Sequence, residues 1–154
     1  MRRAITGFHT DDVGDPVAEL TCGHGQHVRH QPPLVSRPWV TTAEGRASRL
    51  GVELDCVRCD RSEPPEGLVA YRRTAEFTEE TVPAALRRHH ATKAGVWAEI
   101  RVLSGRLRYR VEAPVDREFA LDVDAAGVVV PEVLHHVEPD GPVRFYVEFS
   151  RRPG

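Results

Sequence analysis

The 154-residue chain has a formal net charge of −2, with 40% hydrophobic and 29% charged residues, as in ordinary soluble globular proteins. No apolar run approaches the ~18 residues of a membrane span, and MRRAITGFHTDD has two arginines with no apolar stretch behind them, so neither a membrane partner nor a secretory signal is expected and the location reads as cytoplasmic. Charge is even along the chain, with 8 Lys/Arg and 8 Asp/Glu up to Ser62 and 13 and 15 beyond it, so nucleic acid is not an expected partner.

In chain order, ITGFHTDDVGDPVAELTC holds two extended runs around the turn-rich DDVGDP and predicts a β-hairpin. The next stretch, CGHGQHVRHQPP, packs Cys22, His24, His27 and His30 into nine residues. TTAEGRASRLG predicts a short helix, with Thr42 as N-cap and Gly51 as stop. VELDCVRC predicts a strand entering a tight turn. RSEPPEG, residues 61–67, is polar and proline-rich and reads as a boundary between a domain at 1–62 and a second at 65–150. Beyond it, period-2 alternation dominates. In WAEIRVLSGRLRYRV, Ala98, Ile100 and Val102 face one way, and after LSGR so do Leu107, Tyr109 and Val111, which predicts a hairpin turning at LSGR. EFALDV, GVVVPEV and VRFYVEF add strands, and turn signals every 8 to 12 residues predict an antiparallel sandwich or barrel such as a jelly roll.

The chemistry-bearing residues fall into two groups. Cys22, Cys56 and Cys59 are an odd number of cysteines in a cytoplasmic-looking chain, which points to metal or redox chemistry rather than a disulfide scaffold. Cys56-Val-Arg-Cys59 has the spacing at which a tight knuckle aims two sulfurs at one ion. Cys22-Gly-His24 offers a second pair, since residues i and i+2 of an extended segment point the same way and glycine permits a sharp bend. Together they make a Cys3His set for structural zinc, with His27 as the alternative fourth ligand. A zinc-ribbon-like module results, and a domain of about sixty residues with few large apolar side chains needs such a staple. The competing reading is a redox pair at Cys56 and Cys59.

GFHTDD, VAELTCGHGQHVRHQPP, RPWV, GR and LDCVRCD, within residues 1–60, resemble a small bacterial domain family with this cysteine-histidine pattern and no assigned activity. Residues 89–109, HHATKAGVWAEIRVLSGRLRY, and 127–139, GVVVPEVLHHVEP, resemble the two signature segments of cupins. FTEETVPAALRRHHATKAGVWAEIRVLSGRLRYRV, PEVLHHV and VRFYVEF more closely resemble the cupin-like domain of the tellurite-resistance protein TehB, also found in small stress-related bacterial proteins. This resemblance implies a cupin-like, double-stranded β-helix barrel after the zinc-ribbon-like module, in a mainly β protein. It also implies a pocket around His90, Lys93 and His135. The chain departs from full cupins, because Thr92 replaces the second histidine, Ala98 the carboxylate, and Glu99 is one residue off and so on the other face.

The function expected is a stress-related accessory in tellurite or oxyanion resistance, whose barrel pocket binds a small anion or a metal, the pocket being a candidate for a second metal beside the structural zinc. The alternatives are a metal-dependent cupin enzyme using His90 and His135, or a ligand-sensing regulator binding nucleic acid or protein through the zinc domain. A homodimer through an edge strand is the expected assembly. No methyltransferase activity is implied, because the chain has no glycine-rich βαβ fingerprint.

Overall fold

A computed structural model describes residues 1–154. The first half is organised around β1 (Arg2–Thr10), which pairs antiparallel on both sides. On one side lies β2 (Pro16–Leu20), reached through DDVGDP with Thr10 opposite Pro16. Asp11 builds that turn: its Oδ1 accepts from the backbone N–H of Val13 at 3.0 Å and of Asp15 at 2.8 Å. β3 (Gly25–His27) folds back on β2, and β4 (Glu53–Asp55) takes the other side of β1, giving the sheet order β3-β2-β1-β4. Helix is scarce. α1 (Ala43–Ala47) has Thr42 as N-cap, its Oγ1 accepting from Gly45 N–H at 2.9 Å, but ends at Ala47 rather than running to Gly51. α2 (Val57–Asp60) is a single turn.

The chain divides into two units, Met1–Arg58 and Cys59–Gly154, the division falling inside α2. The apolar interior of the first is small: Ile5, Val17, Ala18, Leu20, Val28 and Val40, with Cys22 and Cys56. No helix is long and apolar enough to cross a membrane.

The second unit contains β5 (Val69–Arg73), β6 (Phe77–Thr78), β7 (Trp97–Val111), β8 (Arg117–Leu121), β9 (Gly127–Val129) and β10 (His135–Arg151). The order is β5-β10-β7-β8, with β6 beside β10 and β9 beside β7. Two long strands therefore carry this unit, and LSGR is not a hairpin turn. β7 runs unbroken for 15 residues and pairs with β10 along nearly its whole length. The inward set changes parity between Val102 and Leu107, as the sequence pattern requires. The pairing with β10 absorbs the change: β7 takes two steps from Ser104 to Val102 against the single step of β10 from Arg144 to Phe145, a bulge whose one extra residue shifts the parity of β7, and beside it four steps of β10 from Pro139 to Val143 span two of β7 from Leu107 to Gly105. Gly105 sits there at φ 79, and a Cβ on it would lie 1.9 Å from the Pro142 carbonyl oxygen, so only glycine fits. Trp97, Ile100, Leu107, Tyr109 and Phe145 are all at most 2% exposed. Tyr109 donates its hydroxyl proton to the Val128 carbonyl at 3.0 Å, and burial pushes its pKa up.

Candidate metal cluster and ligand pocket

The strand pairing explains why Cys22, His24, Cys56 and Cys59 meet. Ile5 lies opposite Leu20, and Arg2 opposite Asp55, so β1 brings the end of β2 and the end of β4 side by side. Past Leu20 the chain reverses tightly: Gly23 N–H donates to the Leu20 carbonyl at 2.8 Å, and Leu20 N–H to the His24 carbonyl at 3.0 Å. Gly23 makes this turn at φ 94, a conformation open to glycine at little cost, and so sets Cys22 and His24 on one side. Past Asp55, Cys56 opens α2, whose single turn carries Cys59 back alongside it.

The donor atoms of these four residues all lie within 4.8 Å of one another, and all four side chains are buried, none more than 4% exposed. His24 Nδ1 is 3.3 Å from both Cys22 Sγ and Cys56 Sγ, and the two sulfurs are 3.9 Å apart. A tetrahedral ion with metal–sulfur bonds of about 2.3 Å and a metal–nitrogen bond of about 2.05 Å would give edges of roughly 3.8 Å and 3.6 Å. The observed edges match within a few tenths of an ångström. A disulfide requires about 2.05 Å, and no disulfide joins the cysteines. The cluster therefore has the donors and the spacing to hold a metal ion and is compatible with zinc.

His27 does not belong to it. As the third residue of β3, it stands opposite Val17 with its side chain 49% exposed and its Nε2 2.9 Å from Asp11 Oδ2. The strand that starts at Gly25 carries it away from the knuckle, which corrects its candidacy as the fourth ligand. His30 is also spent elsewhere, its Nδ1 accepting from Arg37 N–H at 2.9 Å. Arg29 binds Asp15 at 3.2 Å, Arg46 donates to the Val40 carbonyl at 2.8 Å, and Arg49 lies 5.2 Å from the Trp39 ring centre. Three arginines of the first unit thus have partners inside it.

In the second unit, His90 and His135 are brought together by a reciprocal backbone bridge: His90 N–H donates to the His135 carbonyl at 3.0 Å, and His135 N–H to the His90 carbonyl at 2.8 Å. Their ring centres are 4.1 Å apart. Each Nδ1 lies at hydrogen-bond distance from a carbonyl oxygen, His90 with Arg88 at 2.9 Å and His135 with Val133 at 3.0 Å. A carbonyl only accepts, so each Nδ1 carries the proton and each Nε2 is left as an acceptor or ligand atom. Burial drives the His135 pKa down from 6.5 to about 4, reinforced by its His90 and His136 neighbours and opposed by the Val133 bond.

Both imidazoles line a cavity of about 450 Å³ whose body is apolar, with Ile100, Val129, Val137 and Phe145 among its walls. Lys93 lines it, as do Arg72 of β5 and Arg151 of β10. No carboxylate does. Arg151 lies 4.2 Å from the Tyr71 ring centre and Arg72 5.9 Å from that of Phe149, arrangements in which stacking holds the guanidinium and leaves its edge donors usable. Thr92 donates to the Val96 carbonyl at 2.7 Å, and Glu99 pairs with Arg101 at 2.9 Å and is absent from the lining. The cavity thus offers two imidazoles and no third metal donor. Glu148 pairs with Arg73 at 2.9 Å and is likewise absent from the lining.

Sequence reasoning missed Arg72 and Arg151. They come from the two ends of the unit, and only the β5–β10 pairing, Arg151 opposite Val69, brings them to one cavity.

A mainly β protein with a buried Cys3His cluster ahead of a β-rich, cation-rimmed pocket is thus defined by fold and site. In family terms, residues 6–63 match the protein family of unknown function DUF3565 and residues 72–147 match the TehB-like domain, so the chain carries a DUF3565 region followed by a TehB-like domain. Among solved structures, TehB from Haemophilus influenzae superposes with a TM-score of 0.53 at 22% identity, over 56% of this chain and 32% of that one. A protein from E. coli strain K12 superposes with a TM-score of 0.54 at 24% identity, over 60% of this chain and 89% of that one. The chain therefore spans about a third of the length of that TehB, and the likeness is one of fold. No curated protein matches it.

Proposed function

We propose that the protein is a non-enzymatic accessory of oxyanion stress whose cupin-type pocket binds a small anion, while a structural zinc ion at Cys22, His24, Cys56 and Cys59 holds the N-terminal unit. The observation that carries the anion reading is the pocket lining: Lys93, Arg72 and Arg151 with no carboxylate. A metal cation would meet three positive charges and two donors there, whereas an anion meets the charges it needs. The Nε2 atoms of His90 and His135 add two acceptors, suited to a ligand that carries a hydroxyl or amine proton beside its negative charge. Hydrogen tellurite and hydroxylated organic acids share that chemistry, and the apolar walls favour the latter where a hydrocarbon part is present. The tellurite connection rests on the TehB-like domain.

Calorimetric titration of the full chain with tellurite, selenite and small hydroxy acids tests the reading. One of these should saturate at a single site, with binding weakened in Lys93→Ala and His90→Ala proteins that keep the wild-type circular dichroism. No saturable anion, or binding indifferent to both substitutions, would sink it. The zinc half is tested by elemental analysis of untagged protein: about one zinc per chain in the wild type and none in Cys56→Ser/Cys59→Ser.

A further inference from the structure

Each of the doubled histidines, His89-His90 and His135-His136, places its second partner on the opposite face of the sheet from the pocket. His90 bridges His135, so His89 comes opposite His136, their ring centres 5.0 Å apart. The end of β7 supplies a carboxylate there, because Glu112 N–H donates to the Leu134 carbonyl at 2.9 Å and so follows the β10 pairing to the same place. Glu112 Oε1 lies 3.5 Å from His89 Nδ1 and 3.7 Å from His136 Nδ1, and the three donor atoms are all within 4.8 Å of one another.

We infer that His89, Glu112 and His136 form a second metal site, specific for a divalent first-row ion of the zinc or cobalt kind. Three features converge on it. The separations exceed hydrogen-bond length but approach the roughly 3.4 Å edge expected of nitrogen and oxygen donors sharing a tetrahedral ion. His136 Nδ1 is sealed from solvent and has no hydrogen-bond partner, unlike the Nδ1 atoms of His90 and His135, so a ligand is what would satisfy it. Two imidazoles and one carboxylate are the donor set of open, three-ligand sites, which leave a position for water or a small anion. Of the nearby guanidiniums, Arg87 is paired with Glu138 and Arg110 with Asp116, while Arg110 Nε also lies 3.9 Å from Glu112 Oε1, so an ion would share that carboxylate with it. A cavity of about 380 Å³ adjoins Glu112 and His136 and is lined also by Arg108 and Glu118, so the fourth position has room.

The test uses the full chain with its cysteine cluster already filled with zinc, titrated with cobalt(II). The expected result is one further equivalent, with visible d–d absorption and no thiolate charge-transfer band. His89→Ala, an exposed position with little bearing on folding, and Glu112→Gln should each weaken that equivalent about tenfold or more, while His90→Ala leaves it unchanged. Absence of a further equivalent in the wild type would overturn the site. So would an equivalent indifferent to His89→Ala and Glu112→Gln, or one lost in His90→Ala, which would place the ion in the pocket instead.

Discussion

Gly23, His24 and His135 show how much single residues carry. Cys22, His24, Cys56 and Cys59 bury three sulfurs and an imidazole, while the interior of the first unit is otherwise made of small aliphatic side chains, so a metal held by the cluster would stand in for hydrophobic mass. Cys22→Ser should abolish metal retention and leave residues 1–58 without a cooperative fold, measured by elemental analysis and by loss of dispersed amide resonances. His135 acts through its proton. Its folded pKa is lowered to about 4 from 6.5, so between those values the unfolded chain binds the proton and the folded one resists it. Its contribution is full above pH 6.5, falls with pH through the window, and by pH 4 has cost about 3 kcal/mol at most. Urea unfolding at pH 7, 5.5 and 4.5 should show wild type losing more stability than His135→Gln on acidification. Parallel curves would refute it.

At the scale of the element, β7 and β10 are joined by a deliberate irregularity. Gly105→Ala forces a Cβ to within 1.9 Å of a backbone oxygen at φ 79, and should cost on the order of 3 kcal/mol. Gly141→Ala, at φ 77 with open space around it, should cost only about 1 kcal/mol. Chemical denaturation of the two variants compares them directly, and equal costs would show that the close approach is not what holds glycine at 105. Tyr109→Phe removes the bond to the Val128 carbonyl that pins β9 against β7, worth about 1 kcal/mol by the same measurement.

For the whole molecule, the division into two units and a cluster that takes Cys22, His24 and Cys56 from the first predict two kinds of stability. Calorimetry in the presence of a strong zinc chelator should erase the transition of the N-terminal unit and leave that of the TehB-like domain. Loss of both together would show that the metal stabilises the whole chain. β5 is exposed at all five positions and has β10 on one side only, so a homodimer through this edge is the assembly we propose, seen in light scattering as about twice 17.2 kDa.

The sequence by itself determined the ligand types and the alternation. Cys22-Gly-His24 and Cys56-x-x-Cys59 are short motifs whose geometry is set by the turns they make, and the inward positions of β7 follow from period two. The cupin resemblance likewise marked His90 and His135. Tertiary structure decided what those local rules leave open. A change of parity is compatible with a turn or with a pairing irregularity, and Val102 to Leu107 was settled only by the pairing with β10, where Ser104 and Val102 stand opposite the consecutive residues Arg144 and Phe145. The Cys22 and Cys56 segments meet because β1 aligns the ends of β2 and β4, and His27 is drawn away because β3 pairs it with Val17, both matters of register between strands rather than of spacing within one. Arg72, Arg151 and the His89–Glu112–His136 group are assembled from segments distant in the chain, and no local pattern records which side chains a sheet will bring together once its strands pair.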